Sequence, residues 1–388
     1  MENAVLYPFN KITQGMIRFR DLTDFTVKAV VDFVQHRGCD AGVLIGEEGA
    51  GIPVTDHVEE ALQGADVLIL NDPGTPFGNN ESVYGEYNLK SLWRMMVMTA
   101  SEKKIRIVSV HEIIEQDTLL WMEEHGIAIE VGPQIPSRLE ERLNQEYAFP
   151  SQGGETAVYL NYFDLDSRLS AFNQNICKVG IFATRGCLGK FTAQMTLFRG
   201  LKLAGEQAKA IITEPTAPFF SQPGGDIMKF IAHRPLSHYP YYINAAVREA
   251  EEEGCDFVLL SGQGSLLPNE NFVIAATKIS YLCAFKPDHT VLIAGYDDND
   301  QIRDSLDLLR IYGNGKAPFA ILIPDKYEVG FGAYVTKTPE EMESRKEEIR
   351  QLFNAEHVES VLDIGKLAQK LIEYKNGALS RESGMVAG

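Results

Sequence analysis

Val179-Gly180-Ile181-Phe182-Ala183-Thr184-Arg185-Gly186-Cys187-Leu188-Gly189-Lys190-Phe191-Thr192 joins an apolar run to a helix-periodic one through a short loop that ends in Gly-Lys. A strand stopping in such a loop, with a helix starting at the lysine, gathers bare backbone N–H groups, a positive helix end and an ammonium in one place. Phosphate is the ligand that suits it. We therefore read a P-loop whose contacts come from Thr184, Arg185, Gly186, Cys187, Gly189, Lys190, Phe191 and Thr192. The spacing departs from Gly-x4-Gly-Lys-Ser/Thr: Thr184 stands at the first glycine, Phe191 at the hydroxyl position, and Thr192 one residue late. The usual hydroxyl ligand for Mg²⁺ is thus missing.

The chain alternates strand-like and helix-like segments on both sides of this loop, the pattern of parallel sheets covered by helices. After the loop we expect strands at 178–183, 208–213, 256–261, 290–294 and 318–323, and helices at 190–204, 243–253, 299–311, 339–353 and 366–374. Before it we expect strands at 16–19, 41–45, 66–70, 105–110 and 127–131. Val27, Val30, Val31 and Val34 read as one helical stripe and residues 89–98 as another. The fold class is α/β: a Rossmann-like parallel-sheet domain at 1–150, a linker or bridge at 151–175, a P-loop NTPase-like domain at 176–375 and a small polar tail at 376–388.

Composition bounds the function. A chain of 388 residues with 45% hydrophobic and 23% charged residues reads as a soluble globular protein of two domains. Its longest apolar runs, such as Val67-Leu68-Ile69-Leu70, are strand-sized, so no membrane span is expected. A net charge of −18 repels polyanions, which argues against nucleic acid as a partner. Five scattered cysteines without Cys-x-x-Cys spacing, and no leader-like N-terminus, fit a reduced cytoplasmic protein. We expect a small-molecule substrate and a homo-oligomer.

Three further stretches carry candidate chemistry. Thr213-Glu214-Pro215-Thr216 opens a proline- and glycine-rich loop at a strand end, where Glu214 or Asp226 can handle a proton or hold Mg²⁺ through water. In His233-Arg234-Pro235-Leu236-Ser237-His238, Arg234 suits a substrate carboxylate or phosphate and His233 or His238 a general base. The strand ending Ser261-Gly262-Gln263-Gly264-Ser265 lets backbone approach a ligand, so Gly262, Gln263, Gly264 and Ser265 are candidate substrate contacts. His-x4-His without a third ligand makes no metal site.

The phosphate loop, Ile212-Thr213-Glu214-Pro215-Thr216 and Ser261-Gly262-Gln263-Gly264-Ser265-Leu266 together resemble a P-loop family long catalogued as a domain of unknown function. In that family a Rossmann-like domain precedes the P-loop domain, and some members are D-glutamate N-acetyltransferases using acetyl-CoA. The resemblance spans nearly the whole chain. This chain departs from it at Ser261, where the family usually has glutamate, at Arg185, where it usually has an acidic residue, and at the His-Arg-Pro and Tyr296-Asp297-Asp298 segments. The same loops are similar to those of dethiobiotin synthetase, an ATP-dependent enzyme that relies on a hydroxyl and carboxylates around Mg²⁺.

Three readings follow. In the first, the loop holds the phosphates of acetyl-CoA and the enzyme transfers an acyl group to the amine of a small amino acid or carboxylate, with Arg234 on the substrate and His233, His238 or Glu214 as base. In the second, ATP and Mg²⁺ drive a ligase or kinase reaction through Thr192, Glu214 and Asp226. In the third, the protein binds a nucleotide or CoA without turnover and regulates something else.

Overall fold

The computed structural model describes residues 1–33, 36–71, 88–131, 176–214, 216–220, 239–262, 264–268, 272–313, 315–330 and 333–385. The chain divides into two compact units, one formed by Met1–Gln134 with Pro215–Gln222 and Gly330–Ala333, the other by Ile135–Glu214, Pro223–Val329 and Tyr334–Gly388. The bridge expected at 151–175 lies outside the described residues.

In the first unit six strands, β1 Glu2–Tyr7, β2 Phe25–Val31, β3 Val54–Thr55, β4 Val67–Leu70, β5 Arg106–Ser109 and β6 Glu130–Val131, form a sheet of order 3-2-1-4-5-6. Every ladder in it is parallel. This is the doubly wound order, which reverses between β1 and β4. Helices α1 Lys11–Arg18, α2 Ala41–Leu44, α3 Val58–Leu62, α4 Leu89–Glu102 and α5 Gln116–Glu124 connect the strands. Val5, Val31, Leu68 and Leu70 from the sheet bury against Trp93, Met96 and Val97 of α4.

Three sequence expectations fail here. Met16, expected in a strand at 16–19, is a buried residue of α1, and 41–45 falls on α2 instead of a strand. Val27, Val30 and Val31 belong to strand β2, not to a helix, and Val34 lies outside the described residues. Four valines spaced by one to four residues fit either period, and β-branched side chains settle more readily on a sheet buried from both sides. The strands that the sequence left unassigned are β1, at the centre of the sheet, and the short β3. Helix α1 is closed at its start: Asn10 Oδ1 accepts from the N–H groups of Ile12 and Thr13 at 3.0 and 3.2 Å. The chain's own side chain fills this helix N-terminus.

The second unit holds β7 Cys177–Ala183, β8 Ala208–Ile211, β9 Phe257–Ser261, β10 His289–Ile293, β11 Ala320–Ile323 and β14 Val358–Ser360, and the residues of a separate ladder, β12 Lys326–Gly330 with β13 Ala333–Thr336, are divided between the two units. The six-stranded parallel sheet runs 14-11-10-7-9-8. Its helices are α6 Lys190–Leu203, α7 Tyr239–Glu252, α8 Phe272–Phe285, α9 Asn299–Tyr312, α10 Pro339–Phe353 and α11 Ala368–Met385. All five strands expected in this half are present, as are the helices expected to start at 190, 299 and 339. Helix α8 and strands β12, β13 and β14 are additions, and α11 keeps residues 376–385 helical where the sequence suggests a tail. Helix α8 reads Phe-Val-Ile-Ala-Ala-Thr-Lys-Ile-Ser-Tyr-Leu-Cys-Ala-Phe, apolar nearly all round. A helix apolar on nearly every side shows no stripe by which to recognise it.

At the far end of the sheet from the loop, at the start of β10 and before β11 and β14, His289, Phe319, His357 and Tyr374 form a ring cluster with centroids 5.1–5.8 Å apart. Burial, reinforced by Lys316 at His289 and by Lys370 at His357, pushes both histidines below the ordinary 6.5. The unfolded chain therefore takes up protons first as pH falls, so these residues make folding less favourable as pH drops from about 6.5 through the lower folded-state values. Urea midpoints measured from pH 8 to 5 are expected to fall mainly below 6.5, and His289→Phe to flatten that fall. A variant profile parallel to wild type would exclude His289 as a contributor.

Candidate phosphate-binding site

Strand β7 lies between β9 and β10, with Ile181 paired to Ser261 and Ala183 to Ile293. Its carboxyl end thus opens where the strand order changes direction, the position at which parallel α/β sheets take ligands. The loop that follows folds through two left-handed residues, Cys187 at φ +57° and Gly189 at φ +91°. At Gly189 a side chain would be strained by that backbone and would also press on Val361, 3.1 Å from the position of a Cβ. Helix α6 then begins at Lys190 with no side-chain cap, in contrast to α1. Lys190 itself is 7% exposed.

Neighbouring elements fix the loop from both sides. Thr184 N–H donates to Ile293 O at 2.9 Å, and Ala183 O accepts from Leu266 N–H at 2.7 Å, which draws the Gly264-Ser265 turn against the end of β7. Asp298, at the N-cap position of α9, leaves its own helix uncapped. Its Oδ2 instead accepts from Thr184 Oγ1 at 2.7 Å and Gly295 N–H at 2.8 Å, and lies 3.3 Å from Arg185 Nε. A Cβ on Gly295 would fall 2.3 Å from the Arg185 guanidinium, so glycine there is what admits the arrangement. Thr184 and Arg185, the two departures at the head of the motif, are thus tied to Asp298, which stands in another of the departing segments.

Removing that carboxylate leaves the buried Thr184 hydroxyl and the Gly295 amide only their longer bonds of 3.5 and 3.4 Å. Asp298→Ala is expected to destabilise the protein by about 1–3 kcal/mol and to weaken phosphate binding with it, read from urea midpoints and calorimetric affinities side by side. A stability loss with unchanged affinity would show that the loop holds its shape without Asp298.

On the other side, Gln194, one turn into α6, donates from Nε2 to Ile211 O and Leu259 O at 2.9 and 3.1 Å and accepts from Ser261 Oγ at 2.5 Å. It clamps α6 to the ends of β8 and β9. The Ser261 hydroxyl is therefore committed to the scaffold, and Phe191 offers no donor atom. Neither residue fits the customary Mg²⁺ positions. Among the described residues no group of three or more His, Cys, Asp or Glu side chains can hold a metal ion.

Of the residues singled out from sequence, Thr184–Thr192 stand together by chain continuity, and Gly262, Gly264 and Ser265 join them at the end of β9. Thr213 Oγ1 donates to Ser261 O at 3.3 Å, which puts Glu214 at the same edge. Ser265 is turned inward, its Oγ donating to Leu267 O at 2.6 Å. His233, Arg234, His238, Asp226 and Gln263 lie outside the described residues.

The sequence reading missed Lys278 altogether. It sits in the apolar helix α8, 3% exposed, with its ammonium 5.0 Å from the ring centroid of Tyr281. A Cβ on Gly262 would lie 2.7 Å from Lys278 Cε and 2.8 Å from the Tyr281 ring, so the bare glycine is what lets this lysine pass the end of β9. Burial foremost, then the Lys190 ammonium, with Glu214 opposing, pushes Lys278 from 10.5 down to about 7. The contrast is Lys209, 1% exposed, whose ammonium is 3.1 Å from Glu249 and 3.3 Å from Glu253. The signal in the sequence was a lone lysine in an otherwise apolar helix.

Residues 169–314, which enclose the loop, α8 and most of the sheet, match a family described as a domain of unknown function, the DUF1611_C P-loop domain. Over that stretch the chain is similar to the DUF1611 P-loop domain. A solved DUF1611 family protein from Anabaena variabilis ATCC 29413 aligns with 97% of this chain and 99% of its own at 12% identity, with a TM-score of 0.59. At that identity the likeness is one of fold, and it takes in both α/β units. A nucleotide-binding protein from Archaeoglobus fulgidus, solved in complex with ADP, covers 50% of this chain and 87% of its own at 10% identity and a TM-score of 0.32. The signal recognition particle 54 kDa protein from Aeropyrum pernix K1, in complex with GDP, covers 76% of this chain and 69% of its own at 8% identity and a TM-score of 0.31. Scores this low carry no argument. No curated protein matches the chain. No helix among the described residues is long and apolar enough to cross a membrane.

Proposed function

We propose that the P-loop domain binds the phosphates of CoA or a nucleotide without needing Mg²⁺ in the customary place, and that the protein transfers an acyl group from a CoA thioester to the amine of a small amino acid or related carboxylate. The observation that carries the reading is the α6 N-terminus: it has no side-chain cap, opens at the carboxyl end of β7 and starts with a buried lysine. Backbone N–H groups of Arg185–Gly189 and the Lys190 ammonium would take the phosphates. Commitment of Ser261 to Gln194, with Phe191 at the hydroxyl position, favours holding phosphate over cleaving it.

For the transfer step, the substrate amine attacks the thioester carbonyl. The C–N bond forms as the C–S bond breaks, the amine proton passes to a base such as Glu214, and the thiolate leaves with CoA. N–H donors of the Gly262–Ser265 turn are suited to the developing oxyanion. Arg234 would hold the substrate carboxylate, with His233 or His238 as the alternative base.

A thermal-shift panel of ATP, ADP, GTP, CoA and acetyl-CoA, each with and without Mg²⁺, tests the reading, because a ligand that binds only the folded state raises Tm. Stabilisation by CoA or acetyl-CoA that ignores Mg²⁺ is the expected result. Stabilisation by ATP that requires Mg²⁺ would replace acyl transfer with a ligase or kinase reaction, and no shift with any ligand would overturn the phosphate site.

A further inference from the structure

Two lysines stand at the carboxyl edge of the sheet, Lys190 after β7 and Lys278 against Gly262 after β9, where Leu266 N–H ties the following turn to Ala183 O. Lys190 arrives with α6, and Lys278 reaches in from α8 past the bare backbone of Gly262, buried, with the Tyr281 ring against its ammonium. The other charged groups acting on Lys278 are Lys190 at the start of α6 and Glu214 after β8. A second lysine beside the first is difficult to account for as packing, since an apolar side chain would fill the same space in α8 at lower cost. An anion between the two would reverse that cost.

We propose that Lys278 is a second phosphate-binding residue of the P-loop site, acting with Lys190 on a polyphosphate group. This rests on the phosphate reading above and adds to it the partner of Lys190 and the proton balance of binding. Near neutral pH the desolvated amine beside Lys190 already sheds its proton readily, its value standing at about 7. A bound phosphate adds negative charge within reach of both ammonium groups, which favours the charged form and returns the proton from solvent. The balance is simple: the neutral amine plus one H⁺ from buffer gives the ammonium that pairs with the phosphate oxygens.

The test is metal-free titration calorimetry of the full chain with ATP and with CoA at about pH 8.5, where the ligands' phosphates are ionised and Lys278 is neutral in the free protein. Each titration is run in two buffers of different ionisation enthalpy. Wild type is expected to take up about one proton per ligand bound. Lys278→Met is expected to lose that uptake and about 10- to 100-fold in affinity while melting no lower than wild type. Lys190→Ala, run alongside, separates the two ideas. If Lys190→Ala weakens binding but wild type takes up no proton and Lys278→Met binds as wild type does, Lys278 is a buried bystander and the phosphate site stands without it. Failure of wild type to bind either ligand would overturn the phosphate site and this inference together.

Discussion

Lys190→Ala is expected to weaken binding of the phosphate-bearing ligand by about 2–4 kcal/mol, or roughly 30- to 1,000-fold in Kd. The lysine is the first residue of α6, buried, and placed at an uncapped helix end, so its ammonium and the helix N–H groups act on the same oxygens. In a site that excludes water, truncating one charge-assisted contact removes more than the same change does on the surface. Calorimetry with ATP and CoA measures it. The variant's Tm without ligand should stay within a few degrees of wild type, because Gln194 and Asp298 hold the loop independently of Lys190. An unchanged Kd would remove the cradle from this protein.

Lys278→Met is expected to raise stability at pH 7 by about 2–4 kcal/mol. An unfolded chain protonates this lysine near 10.5, whereas the folded protein does so near 7, chiefly because of burial. Between those values the unfolded state binds the extra proton, so wild-type stability climbs as pH rises from about 7 to about 10.5, and the cost of burying Lys278 is full below that window and absent above it. Denaturant unfolding of wild type and variant at pH 6, 7, 8.5 and 10 should show the gap between them closing toward the alkaline end. A gap that stays constant with pH would mean that methionine packs better and that the charge of Lys278 is irrelevant to folding. A residue that costs stability while standing in a ligand site is the trade that active sites commonly make.

Much of the second unit was legible because its signals are local. A β-branched run, a glycine-lysine loop and a helical stripe are each contained in a dozen neighbouring residues, and the strands and helices around the loop followed from the same alternation. In the first unit the local signal misled. Met16 and Ile17 face the core from a helix capped by Asn10, and a cluster of valines lies flat in β2 because a sheet covered on both faces buries both sides of its strand. The uniform apolarity of α8 hid one helix, because a run that is apolar on every side shows no stripe.

The sequence by itself determined the strand, the tight loop and the lysine-led helix, since Gly189 and the residues beside it set the backbone locally. Only the tertiary structure decided what that loop meets. Strand β7 between β9 and β10 brings Asp298 to Thr184 across 114 residues and commits Ser261 to Gln194 across 67, and Lys278 of α8 lies against Gly262 at the end of β9. No local pattern encodes those contacts, because strand order and burial are properties of the whole folded sheet, and it is burial that gives a lone lysine its unusual charge state.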